Sequence, residues 1–82
     1  MDEKRIAIVA VIVKNRDQAN QLNLILHDYG EYIISRNGIG YNNRDVNIIT
    51  VILDAPQNAV NALSGKIGRL GEVEVKTTYL KI

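Results

Sequence analysis

The chain has 82 residues, no cysteine, and a formal net charge of +1 from ten Lys plus Arg against nine Asp plus Glu. That length holds one small domain, which buries roughly 60% of its unfolded surface, and the missing cysteines exclude disulfides, thiolate metal sites, iron–sulfur clusters and thiol nucleophiles. The near-neutral balance lacks the basic excess of a stand-alone DNA or RNA binder, and the longest apolar run, Ile6 to Val13, falls far short of the ~20 residues that cross a bilayer.

The opening Met1-Asp-Glu-Lys-Arg5 is mixed in charge and has no small-residue cleavage site of a signal peptide, so the sequence predicts a cytoplasmic product. Ile6 to Val13 is dominated by β-branched residues and is too short for an amphipathic helix, which makes it strand one, apolar on both faces. Asn15-Arg16-Asp17-Gln18 has the form of a capping box, with an Asn cap, Gln three residues later and a negative charge in the first turn. Ala19, Leu22, Ile25, Leu26 and Tyr29 then form one helical stripe and Gly30 occupies the place of a left-handed cap, so a helix is predicted over 16–29.

Residues 31–41 carry Tyr32, Ile33, Ile34 and Ile39, with Gly38 and Gly40 near the end, and predict a second strand that bends or bulges as it nears a turn. Asn42-Asn43-Arg44-Asp45 is a hairpin tip by composition. Strand three is predicted over Val46–Leu53, again apolar on both faces apart from Asn47 and Thr50. Asp54-Ala55-Pro56 should end that strand, with Asp as a cap ahead of a proline in the first helical turn. Val60, Leu63, Ile67 and Leu70 mark helix two, Gly71 its cap, and the alternating Val73–Leu80 an edge strand with one wetter face.

The order β-α-β-β-α-β predicts an α+β, ferredoxin-like two-layer sandwich: a four-stranded antiparallel sheet with strands one and three central and both helices on one face. The helices cover one side of the sheet only, yet both central strands are aliphatic on both parities. Hiding several hundred Å² of apolar surface is worth on the order of 10 kcal/mol before association costs, so the sequence predicts self-association through the sheet. Partly exposed greasy central strands in a monomer are the competing reading.

The junction Asn15, Arg16, Asp17 joins free helix N–H groups to a guanidinium able to pair with a carboxylate or phosphate, which makes it the candidate ligand-binding corner. A well-capped helix start with a solvated arginine accounts for the same residues. Gly65 and Gly68 each cost about 1 kcal/mol within a helix and predict close approach of another backbone or subunit. Ser64-Gly65-Lys66-Ile67-Gly68 is not a phosphate loop, because it lies inside the helical stripe and lacks the full glycine-rich frame after a strand. His27 has no partner histidine, so no metal site and no cofactor is expected. Scattered carboxylates and two serines offer no catalytic constellation. The aliphatic central strands lack the aromatic signature of ferredoxin-like RNA-binding modules, so no direct nucleic-acid binding is expected.

The opening Met1-Asp-Glu-Lys-Arg5, the segment Ala62-Leu-Ser-Gly-Lys-Ile-Gly-Arg-Leu-Gly71 and the closing Val73-Glu-Val-Lys-Thr77 together resemble a family of small stand-alone ACT-like proteins described as iron-only hydrogenase system regulators or transcriptional regulators. The resemblance spans essentially the whole chain and is most specific over Leu63–Thr77. It implies a single ACT-like regulatory domain over 1–82, related to amino-acid-sensing ACT domains and to the C-terminal domain of the nickel-responsive repressor, and assembled as dimers or tetramers. The implied role is a noncatalytic regulator that senses a small-molecule effector or docks a protein partner; the alternative is a structural or assembly protein with no ligand. Two departures bear on that role. Lys14-Asn15-Arg16-Asp17 stands where ACT amino-acid sites carry a glycine-containing turn, and the histidines and cysteine of the nickel site are absent except for His27.

Overall fold

A computed structural model describes residues 3–82; Met1 and Asp2, part of the opening stretch that carries the resemblance, lie outside the described residues. Four strands and two α-helices follow one another as β1 (Lys4–Val13), α1 (Ala19–Asp28), β2 (Ile33–Tyr41), β3 (Val46–Pro56), α2 (Gln57–Gly68) and β4 (Val73–Leu80). The strands form one antiparallel sheet in the order β2-β3-β1-β4, the predicted ferredoxin-like arrangement with β1 and β3 central.

Side chains alternate across a pleated strand, so each central strand divides cleanly into two sets. Ala7, Val9, Val11 and Val13 of β1 and Ile49, Val51, Leu53 and Ala55 of β3 are buried. They meet Leu22 and Leu26 of α1 and Val60, Leu63 and Ile67 of α2, and these thirteen are the buried core among the described residues, with no polar residue among them. Tyr29, Tyr32 and Tyr79 pack on its margin. Two side-chain bonds tie α2 to β4: the Ser64 and Thr77 hydroxyls share a hydrogen bond of 2.6 Å, and the Tyr79 hydroxyl donates to Asn61 Oδ1 at 2.8 Å.

Element ends depart from the sequence expectation wherever a local bond outcompetes the helical or strand pattern. Arg16–Gln18 form a 3-10 turn, and α1 proper starts at Ala19. The Asn15 side chain caps as expected, accepting from Asp17 N at 3.0 Å, but the tight turn denies Gln18 its reciprocal bond, and its Oε1 is buried without a partner. Gly30 is not a left-handed cap: Tyr29 ends α1 at φ −107°, and Gly30–Tyr32 make a second 3-10 turn closed by Tyr32 N donating to Tyr29 O at 3.0 Å.

The irregularity of β2 falls between Ile33 and Ser35 rather than near Gly38 and Gly40, whose stretch runs in unbroken register with β3. Asp54 does not cap α2, because β3 continues through Asp54, paired with Ile6, to Pro56, paired with Lys4. Pro56, at φ −60° and ψ 147°, is itself the residue preceding the helix. Helix α2 ends at Gly68, three residues short of Gly71. The connection to β4 instead uses Gly71 at φ 81° and Glu72 at φ 52°, a left-handed pair that only glycine adopts without strain at its first position.

Candidate functional site

On the helix-free side of the sheet the pairing register lays out the surface row by row. Leu80, Ile6 and Asp54 lie side by side; then Thr78, Ile8, Ile52 and Ser35; then Lys76, Ala10, Thr50 and Asn37; then Glu74, Ile12, Ile48 and Ile39. Val46 and Tyr41 complete the face at the hairpin end. Aliphatic side chains fill the β1 column from Ile6 to Ile12 and most of the β3 column, where Thr50 and Asp54 interrupt them, and the other polar or charged ones stand on the two edge strands. Ile12 is 37% exposed, Ile39 55%, Tyr41 43% and Leu80 47%, in contrast to the core residues of opposite parity, which have essentially no exposure. No helix of the chain covers this surface, so the aliphatic face expected from strands one and three is present. Of the four tyrosines, Tyr41 alone has the parity that puts it on this face, which leaves no aromatic platform of the kind that stacks bases.

A hollow of about 530 Å³ opens at the hairpin end of the face. Ile12, Val46 and Ile48 line its apolar part, and Tyr41, Lys14, Arg44 and Asp45 complete its rim. The turn holds its groups firmly: Arg44 N donates to Tyr41 O and Asp45 N to Asn42 O, each at 3.2 Å, with Asp45 in the left-handed region at φ 51°. Lys14 is fixed at its backbone by donating its N–H to Glu72 O at 2.9 Å. Sequence reading missed Arg44 as a functional group because, in a polar tip, nothing marks which side chain turns back over the sheet; only the β2–β3 register could have hinted at it.

The sequence-predicted corner lies next to this hollow, and the fold joins the two. Arg16 reaches across to the hairpin tip, with Nη2 3.4 Å from Asp45 Oδ1 and 3.5 Å from Asn42 Oδ1. Asn15, Arg16 and Asp17 are therefore together, with Asn15 occupied as a cap and Arg16 linked to the turn. Among the described residues Arg16–Asp45 is the single ion pair, and Lys14, Arg44 and Glu74 form none there.

Gly65 and Gly68 sit on the last turns of α2. A Cβ at Gly65 would find Arg69 Nη1 at 3.8 Å, and one at Gly68 would find Val75 Cγ1 at 3.6 Å. Both are ordinary van der Waals distances to side chains, so within the chain neither glycine is required by a backbone neighbour. Gly65→Ala is accordingly expected to raise stability by about 0.5–1 kcal/mol, read as a higher thermal midpoint, because it removes a helix-interior glycine; a fall would show that another subunit packs there. His27 is exposed in the last turn of α1, and no group of three or more His, Cys, Asp or Glu able to hold a metal exists among the described residues. Among the described residues no helix is long and apolar enough to cross a membrane.

Residues 5–77 match the family described as "TM1266-like: Iron-only hydrogenase system regulator, putative". The chain belongs to this family. Among solved structures, the uncharacterized protein TM1266 from Thermotoga maritima is similar over 96% of this chain and 100% of that one, with 35% identity and a TM-score of 0.91. A de novo designed protein, Foldit4, shares the fold at 20% identity and a TM-score of 0.59, again over 96% of this chain and 100% of that one. No curated protein matches. The family description makes the chain a member of a putative regulator family, and the designed neighbour shares its fold alone.

Proposed function

We propose that this TM1266-like protein is a noncatalytic regulatory module of an iron-only hydrogenase system, working as a homo-oligomer in which two copies cover each other's helix-free sheet faces. The observation that carries the reading is the surface of Ile6, Ile8, Ala10, Ile12, Ile48 and Ile52: contiguous, aliphatic and unattended by either helix. Monomers rarely leave such a patch in water, and a second copy offers a surface of the same chemistry. The effector-sensing corner is Asn15, Arg16 and Asp17, beside that face, so a small anion drawn to Arg16 would compete with Asp45 and loosen the hairpin tip that borders the interface. A purely assembling protein without a ligand is the second reading, favoured by the fact that Asn15 and Arg16 already have partners within the chain.

Thermal unfolding at a series of protein concentrations tests the oligomer. A midpoint that climbs with concentration is expected, since association stabilises the folded state by mass action, whereas a constant midpoint contradicts the reading. The same assay with amino acids, nucleotides and metal ions tests the corner. Arg16→Ala should leave basal stability within about 0.5 kcal/mol, because its ion pair is exposed, and should abolish any ligand-induced rise. A rise that survives the substitution removes Arg16 from the site, and no rise with any compound favours the assembly reading.

A further inference from the structure

We infer that the hollow at the hairpin end of the sheet is a binding site for a small organic carboxylate that carries an aliphatic or aromatic body. This goes beyond the effector corner proposed above, because it assigns recognition to Lys14, Arg44 and an apolar lining rather than to Asn15, Arg16 and Asp17, and it requires no pairing of copies. At about 530 Å³ the hollow falls within the range of small-molecule sites, about 300–1,000 Å³, and has their composition, an apolar lining on which a few polar groups converge. Parity sets that lining. Ile12 of β1 and Ile48 of β3 are register partners and Val46 pairs with Tyr41, so three aliphatic side chains and a phenol ring share one side of the sheet. Lys14 follows Ile12 by two positions and lines the hollow from that same side.

Charge fixes the sign of the occupant. Three charged residues line the hollow, Lys14, Arg44 and Asp45. Asp45 is engaged by Arg16, whose Nη2 stands 3.4 Å from Asp45 Oδ1, whereas Lys14 and Arg44 form no ion pair among the described residues. Glu74 lies next to Ile12 in its row but on the β4 side, away from Tyr41 and Val46, and is not part of the lining. Two cations are thus left beside an apolar surface. A guanidinium and an ammonium hold a carboxylate through charge-assisted hydrogen bonds, and the aliphatic side chains add to this only when the anion brings apolar area out of water with it. Inorganic phosphate satisfies the first requirement alone and an aromatic amine the second alone. The hollow of about 550 Å³ at the other end of the sheet lacks the same balance: the Arg5 guanidinium lies over the Tyr79 ring, 6.0 Å from its centroid, and Glu3 on the rim forms no ion pair among the described residues.

Titration of the isotope-labelled full chain with phenylacetate at constant ionic strength, followed by amide NMR shifts, tests the site. Saturable shifts centred on Ile12, Tyr41, Arg44, Val46 and Ile48 are expected, with a dissociation constant of about 1–10 mM for so open a site. Acetate, inorganic phosphate and phenethylamine should each bind at least about tenfold more weakly, since each lacks either the apolar body or the negative charge. Lys14→Gln and Arg44→Gln alter exposed side chains outside the core, so the fold is kept, and each should weaken phenylacetate by about threefold. The inference is overturned by phenylacetate that gives no saturable shift up to about 50 mM, by phenethylamine that binds as well, or by affinity that survives both substitutions. Shifts confined to residues 15–17 and indifferent to Arg44→Gln would also overturn it, while leaving the effector corner standing.

Discussion

Ile8→Asp is expected to turn the proposed dimer into a folded monomer. Ile8 lies in a central column of the helix-free face, between Thr78 and Ile52 in its row, and its parity is opposite to that of the buried residues of β1. Within one protomer Ile8 is half-buried, so the carboxylate there stays within reach of water and costs the weaker strand propensity of Asp, about 1 kcal/mol, plus the apolar contacts Ile8 makes with its sheet neighbours. Between two protomers it would be sealed beneath aliphatic side chains, twice, with no cation in its row. Burial of an unpaired ion costs several kcal/mol even after relaxation, and about 3 kcal/mol already weakens association more than a hundredfold. Sedimentation velocity combined with circular dichroism reads the two consequences separately. An unchanged dimer would mean that Ile8 is not at the interface.

The second large effect concerns the opposite side of the same sheet. Leu63 of α2 has no exposed surface and belongs to the core of thirteen buried residues among those described. Leu63→Ala removes buried methyl groups and leaves a cavity, a loss of about 2–5 kcal/mol, from a fold whose total at this length is only about 4–12 kcal/mol. At about 4–8 °C per kcal/mol, the thermal midpoint should fall by roughly 10–40 °C. Leu24→Ala is the control: Leu24 is 68% exposed on α1 and its truncation should change stability by no more than about 0.5 kcal/mol. Similar losses for the two variants would contradict the assigned core.

Fold and topology were legible because periodicity carries them. The two-residue alternation of β1 and β3 and the helical stripes through Leu22–Leu26 and Val60–Leu63–Ile67 are set by burial, which is what hydrophobic pattern records. The doubly aliphatic central strands announced the uncovered face for the same reason. What the sequence concealed was decided by single bonds rather than by pattern. The 3-10 turn at Arg16–Gln18, the plain end of α1 at Tyr29, and the continuation of β3 through Asp54 to Pro56 each turn on a local hydrogen bond or a pairing partner some fifty positions away. Asp54 has a capping residue's chemistry, but pairing with Ile6 fixes it in the sheet.

The candidate site shows the same division. Asn15, Arg16 and Asp17 were found together because they adjoin in sequence, whereas the link from Arg16 to Asp45 and the position of Arg44 over the sheet depend on how the hairpin tip folds back beside the end of β1. No local signal records that meeting. Gly65 and Gly68 were readable as unusual helix residues, and their neighbours within the chain, Arg69 and Val75 side chains, do not account for them.

Sedimentation velocity of the unmodified protein at low-micromolar concentration tests the central claim most directly. A single species with twice the protomer mass, or a higher even multiple, is the predicted result. A folded species with the mass of one chain would show that the aliphatic sheet face stays in water and would contradict the account.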